Sequence, residues 1–370
     1  MENNSHIILL ELLKSALWNS SLNESSIISA DWDDIYRLAK EQAVLALCLD
    51  GINHLPHELM PSEEHNREKW IAAMMKTERK NNIQNEKVTL LINEFRKIGL
   101  HPVLMKGQSL ATEYPNPIHR TCGDIDLFFK ENGEVERAIE WANRHGKCLG
   151  EQHEHDYPFV WNGEVVELHF WMALLYHKRY NRILQDVIEN EYKNEETNII
   201  SIDGEEVETV PVTLYVLYQM VHISFHFLNE GIGLRQFCDL ALYMRNHHDE
   251  IDFVKLNKWI HYLDMEQLAE LYAIFMCKKL GLETSVIPWN TESPYLEILY
   301  DDIFVGGNFG KLRFDFKGKT SFLIQKIKAL PLHWKNYKRY HVLWPKETTA
   351  SFISKWKRAA LGIKKKRNRE

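Results

Sequence analysis

Cysteine is scarce and poorly placed for chemistry. The five in 370 residues (Cys48, Cys122, Cys148, Cys238 and Cys277) are odd in number and form no CxxC pair. That excludes a disulfide framework and a cysteine zinc site, so they are expected as reduced, buried thiols with no disulfide partner. A long apolar run is missing too. Ile7 to Leu13 is short, is broken by Glu11, and has neither a basic flank nor a small-residue cleavage site. Neither a membrane span nor a secretory leader is expected, which points to the cytoplasm. Internal repeats are also lacking. With 45% hydrophobic and 26% charged residues, and with 11 Trp and 15 Tyr, the composition is that of a folded globular chain.

Charge is unevenly spread. The chain carries a net −7, yet from Lys311 onward 18 basic residues face three acids, against 27 basic and 49 acidic residues before that point. Thr349 to Arg369 reads as an amphipathic helix. Phe352, Ile353, Trp356, Ala360 and Ile363 cluster, with Lys355, Lys357, Arg358 and Lys364 to Arg367 elsewhere. Such a segment suits an anionic membrane surface, which would make the protein peripheral at the inner face of the membrane, or RNA. The plainer alternatives are a solubilising terminus or docking of the tail on the acidic body.

The chain divides into a helical region over 1–98, an α/β core over 99–195, a helical C-terminal domain over 196–310 and a basic segment over 311–370. No Gly or Pro interrupts 63–98, which predicts one long amphipathic helix with no evident chemistry. From Gly99 the pattern changes. His101 to Lys106 predicts a buried strand closed by Gly107, and Gln108 to Glu113 a short helix stopped by Tyr114-Pro-Asn-Pro117. Asp124 to Phe129 predicts a second strand and Glu134 to His145 a helix. Tyr157–Trp161 and Val165–Phe170 form a hairpin through Asn162-Gly163. Pro211 opens the C-terminal helices, of which Thr213 to Leu228 is almost wholly apolar or aromatic.

Within this frame Asp124 and Asp126 project to one face, since residues two apart in a strand share a side. Two carboxylates that close repel unless a cation neutralises them, and Mg²⁺ is the usual hard, oxygen-preferring ion. Gly123 before them permits close approach of a backbone or phosphate. Glu167 and His169 share a face of a later apolar strand, where a carboxylate is costly to bury without a partner. Each residue has a plainer reading. Lys106 can be a surface strand end, Arg120 can pair with Glu113 or another acid, and His169 can orient Glu167 or fill the strand face. His222 and His226 have the i, i+4 spacing of a zinc pair, but the Glu of HExxH is missing and no third ligand is evident. They read as core or acceptor-site histidines. Arg235 and Asp239, one turn apart, predict an ion pair.

Val103-Leu-Met-Lys-Gly107, Tyr114-Pro, Arg120, Gly123-Asp-Ile-Asp-Leu127 and Glu167-Leu-His169 resemble a bacterial family of uncharacterised nucleotidyltransferases in the polymerase-beta superfamily. His222-Ile-Ser-Phe-His226, Arg235 and Asp239 resemble its helical C-terminal portion. The resemblance implies an α+β fold: a small mixed sheet with a polymerase-beta-type nucleotidyltransferase core, flanked by N-terminal helices and a helical C-terminal domain. It implies transfer of a nucleoside monophosphate from an NTP such as ATP to a hydroxyl acceptor, releasing pyrophosphate. Asp124, Asp126 and Glu167 would hold two Mg²⁺ ions, with Mn²⁺ the alternative, and Glu167 would take the proton of the attacking hydroxyl. Lys106, Gly107, Ser109, Arg120 and Gly123 would form the nucleotide-binding set. Family members often accompany surface-polysaccharide genes, which favours a sugar-related acceptor. The alternatives are a silent nucleotide-binding or interaction protein on the same fold, and a toxin-type transferase acting on tRNA or protein. The superfamily's usual Gly-Ser phosphate turn is replaced here by Lys106-Gly107-Gln108, with Asp124 lying 17 residues after the glycine.

Overall fold

A seven-stranded mixed sheet with the order β3-β4-β5-β2-β1-β7-β6 organises the chain. The computed structural model describes residues 3–22, 24–62, 67–131, 133–149, 155–194, 197–307 and 334–367, the last ten of these by backbone alone. The strands are β1 (Pro102–Leu104), β2 (Ile125–Phe129), β3 (Lys147–Cys148), β4 (Asp156–Trp161), β5 (Glu164–His169), β6 (Asn198–Ile202) and β7 (Glu205–Thr209). Helices α1 (Asn4–Trp18), α2 (Glu24–Ile27), α3 (Trp32–Glu41), α4 (Leu45–Ile52) and α5 (Arg67–Lys97) precede the sheet. Within it lie α6 (Gln108–Ala111), α7 (Glu134–His145) and α8 (Lys178–Asn194). After it come α9 (Val212–Asn229), α10 (Leu234–Asn246), α11 (Phe253–Tyr262), α12 (Glu266–Leu280) and α13 (Leu296–Gly306). The architecture is α+β, as the sequence implied.

Strand alternation decides which residues reach which side. Ile125, Leu127 and Phe129 of β2, with Val166 and Leu168 of β5, enter a core built with Val88, Leu91, Ile92 and Phe95 of α5 and Trp141 of α7. Phe128 packs on the opposite face, in a larger core shared by the N-terminal and C-terminal helices. With a period of two, Asp126 and Glu167 therefore point away from α5 and α7, toward the helical side. The two sets of helices are not separate bodies. Trp18 Nε1 donates to the Leu280 carbonyl (2.5 Å), and Gln42 Nε2 to that of Ile303 (2.7 Å).

The boundary expected at residue 195 falls inside the sheet. β6 and β7 form a hairpin over Asp203-Gly204, both at positive φ, and β7 pairs parallel with β1 at Leu104 and Thr209. The Asn162-Gly163 hairpin forms as expected, with φ of 48° and 85°. The expected first strand is shorter than His101–Lys106. The Met105 N–H still bonds the Asp126 carbonyl (3.0 Å), and the chain then leaves at Lys106 to turn into α6.

The basic tail docks on the body at its start. Its helix runs Pro345–Arg367. Glu347 accepts the Tyr176 and His177 N–H groups (2.7 and 2.8 Å), while Ser351 and Lys355 both donate to Asn229 Oδ1. Ile353 and Trp356 remain exposed. The end of the predicted helix, 368–369, lies outside the described residues.

Candidate active site

The parallel pairing of β2 with β5 sets Asp126 directly beside Glu167. Asp124 lies just before β2, and all three carboxylates line a cleft of about 1200 Å³ between the sheet, α3 and α5 on one side and α9 and α10 on the other. The middle of α5 holds the approach to these acids. Asn81 Nδ2 donates to the carbonyls of Ile118 and Arg120, Gln84 Nε2 to that of Gly123, and Lys80 Nζ to that of Cys122, each at 2.7 Å. A polar row that reads as a solvated face thus fixes the segment from 118 to 123. Buried carbonyls without such donors would each cost about 1–3 kcal/mol.

Asp126 is nearly inaccessible and is held by two cations. Lys106 Nζ and His169 Nε2 each lie 2.9 Å from its Oδ1. Burial opposes its ionisation, but Lys106 and then His169 outweigh burial and keep the carboxyl below its usual range. His169 also lies 3.6 Å from Glu167 Oε2. Burial would lower its pKa, yet the hydrogen bond to Asp126 and the nearby Glu167 carboxylate carry it to about 9. Lys106 is likewise desolvated and raised on balance, chiefly by Asp126. Asp124 receives less compensation: the charge of Asp126, then burial, pushes it up to about 6.

These residues fit a divalent cation. Ligand atoms of Asp126, Glu167 and His169 lie within 4.8 Å of one another, and Asp124 carries the unmet negative charge that an ion would neutralise. The grouping differs from the expected one in that His169 replaces Asp124 within the tight set. As a protonated group facing two carboxylates, His169 is placed as their charge partner.

The nucleotide-binding set expected from the sequence is divided. Lys106, Gly107 and Gly123 line the cleft. Gly107 has φ 68° and ψ −112°, a backbone open to glycine, and a Cβ there would meet the Asp124 carbonyl at 3.4 Å. Ser109 is buried and hydrogen-bonded to Tyr215 Oη (2.6 Å). Arg120 borders the cleft, but its Nε and Nη2 bind Asp239 at 2.8 and 2.7 Å. This displaces the ion pair expected between Arg235 and Asp239. Arg235 instead gives Nη1 to the Thr121 carbonyl (2.6 Å).

Helix α9 supplies the opposite wall. Tyr218 lies against Lys106, and its phenol is pushed up first by burial. His222 is driven well below its ordinary pKa by burial, then by Lys106, His226 and Arg235, and so is neutral. His226 bonds Glu230 (2.8 Å). Of this wall the sequence singled out the two histidines, and Tyr218 and Gln219 went unread. Their signal was Gln219, His222 and His226 recurring along one face of an otherwise apolar helix.

Residues 29–281 match the model of a family described as uncharacterised nucleotidyltransferase. The chain belongs to this family. The match runs from just before α3 through α12, so the whole sheet and both walls of the cleft are family structure. No curated protein and no solved structure matches the chain. Among the described residues, no helix of this nucleotidyltransferase-family chain is long and apolar enough to cross a membrane.

Proposed function

We propose that the chain transfers a nucleoside monophosphate from an NTP to a hydroxyl acceptor, with Mg²⁺ and with release of pyrophosphate. The observation that carries this reading is the pairing of Asp126 with Glu167 on adjacent parallel strands, beside an Asp124 whose proton affinity is raised first by the charge of Asp126. Asp124, Asp126 and Glu167 would hold the metal, two ions by the resemblance, with Mn²⁺ the alternative. The bound metal supplies charge neutralisation for the entering and leaving oxygens of an in-line displacement.

The protein's own groups divide the remaining work. The acceptor oxygen attacks the α-phosphorus, a new P–O bond forms, and the bond to the bridging oxygen of the β-phosphate breaks. Glu167, 21% exposed at the side chain and open to the cleft, takes the hydroxyl proton. Lys106 and the Gly107 N–H contact the departing phosphates, the first as a point charge and the second at a turn with room for close approach. His169 holds Asp126 and Glu167 in place. The family resemblance favours a sugar-related acceptor.

Labelled NTP and Mg²⁺ with purified wild type, Asp124→Ala, Asp126→Ala and Glu167→Ala test this. The expected result is metal-dependent NTP binding and pyrophosphate release that the substitutions abolish. NTP binding indifferent to metal and to all three substitutions would overturn it.

A further inference from the structure

The wall opposite the acids holds polar groups with no hydrogen-bond partner among the described residues. Arg235 Nε is buried with no hydrogen-bond partner among the described residues, and so are both amide atoms of Gln219. Both side chains line the cleft. A buried donor or acceptor without a partner is destabilising, so such groups in a native fold call for an explanation. Arg235 is the sharper case because it is charged and, among the described residues, forms no ion pair. Asp239, the acid one turn along α10, is committed to Arg120 by two hydrogen bonds and also accepts Tyr114 Oη (2.6 Å).

Two sources of positive potential meet at Arg235. It lies in the first turn of α10, a helix of 13 residues whose N-cap is Gly233 and whose first N–H, that of Leu234, is taken by the neutral Gln42 Oε1 (3.0 Å). That end carries the positive pole of the helix, where a basic residue is unfavourable unless an anion joins it. The Arg120 guanidinium is a second source. Burial and then Arg120 pull the affinity of Arg235 for its proton below the ordinary value. Among the described residues, the acceptor that Arg235 reaches is a neutral carbonyl, that of Thr121. A guanidinium whose Nε has no partner among the described residues can turn that donor to a phosphoryl oxyanion.

We propose that Arg235 is the phosphoryl-oxyanion-binding residue of this cleft, with Gln219 as a neutral hydrogen-bonding neighbour for the same substrate. This deepens the nucleotidyl-transfer reading and rests on it for the identity of the substrate. The oxyanion is either the terminal phosphate of the NTP or a phosphate carried by the acceptor. Arg235 then acts on binding, facing the acids rather than joining them.

The test is calorimetric titration of the full chain in EDTA with inorganic tripolyphosphate and with orthophosphate, using wild type, Arg235→Gln and Arg235→Lys. Loss of the charge should weaken anion binding roughly ten- to a hundredfold, and lysine should restore part of it. Orthophosphate excluded by saturating tripolyphosphate would place the NTP's own phosphate at Arg235. Orthophosphate that still binds beside tripolyphosphate, and is lost in Arg235→Gln alone, would place the acceptor's phosphate there. Wild type binding neither anion, or binding unchanged in both variants, would overturn the proposal. Arg235→Lys retains the charge and keeps the test open if the glutamine variant fails to fold. Failure of the transferase reading looks different: NTP binding would ignore Mg²⁺ and Asp124→Ala while Arg235-dependent anion binding in EDTA persisted.

Discussion

Arg120 and Asp239, 119 residues apart, form a two-pronged ion pair with about 3–5% of each side chain exposed. Arg120 brings Nε and Nη2 to the two carboxylate oxygens, and Tyr114 adds a third hydrogen bond. The pair ties the segment before the acids to α10. It also takes the acid that sequence spacing would give to Arg235.

Breaking this pair should therefore act on folding before chemistry. Arg120→Ala or Asp239→Ala strands one buried charge, a change that costs about 3–5 kcal/mol. Replacing both with apolar residues of similar volume should recover much of the loss. Urea unfolding of the two single variants and the double variant measures this. A variant of Arg120 with unchanged stability and lost NTP binding would instead make Arg120 a substrate contact.

Metal binding should be lost in acid, with the sign set by Asp124. Its carboxyl rises from 3.8 to about 6 in the fold, so below that pH an ion must displace a proton. Mg²⁺ affinity should fall roughly tenfold per pH unit well below 6, one proton being released per ion bound. Asp124→Asn should remove this dependence and weaken binding throughout. The linked stability runs the other way. Between 3.8 and 6 the folded protein keeps a proton that the unfolded chain has lost, so metal-free stability declines as pH rises through the window. Adding Mg²⁺ should offset that decline above pH 6. Calorimetric titration of Mg²⁺ and thermal melts from about pH 4.5 to about pH 8 test both halves.

Lys106 should have opposite effects on the two ligands. It lies 2.9 Å from Asp126 and competes with a metal for that carboxylate. Lys106→Met keeps the stem and removes the charge. Mg²⁺ affinity should rise by roughly tenfold or more, the scale on which one adjacent charge moves an ionic equilibrium. NTP affinity should fall by a similar factor as the phosphates lose their point charge. Equal losses for both ligands would mean that the substitution disturbs the fold of the site rather than its charge.

Where the sequence was legible, the signal was local. Asp124-Ile-Asp126 and Glu167 announced themselves as acids in apolar strands with a period of two, and Asn162-Gly163 fixed the register of its hairpin. What lay hidden depended on distant partners. The spacing of Arg235 and Asp239 could not reveal that Arg120 arrives with two donors. Lys80, Asn81 and Gln84 look like the wet side of a long helix until the carbonyls of 118–123 appear beneath them. Asp203-Gly204 did carry a turn signal. The parallel pairing of β7 with β1 that draws it into the sheet has no counterpart in local sequence.

Two glycines separate stability from site geometry. Gly51 in α4 crosses α1 so closely that a Cβ would lie 2.1 Å from the Leu12 carbonyl oxygen. Gly51→Ala must push the two helix backbones apart, a strain of about 1–3 kcal/mol, and should lower stability without changing the affinity for Mg²⁺ or NTP. Gly107 is constrained by its backbone, at φ 68° and ψ −112°, with the Asp124 carbonyl at the limit of ordinary contact. Gly107→Ala carries a conformational cost of about 1–3 kcal/mol and relieves it by shifting the turn beside the acids. Its NTP affinity should fall along with its stability. Urea unfolding and NTP titration of both variants make the comparison, and a Gly107→Ala protein that is less stable yet binds NTP like wild type would remove that turn from the phosphate site.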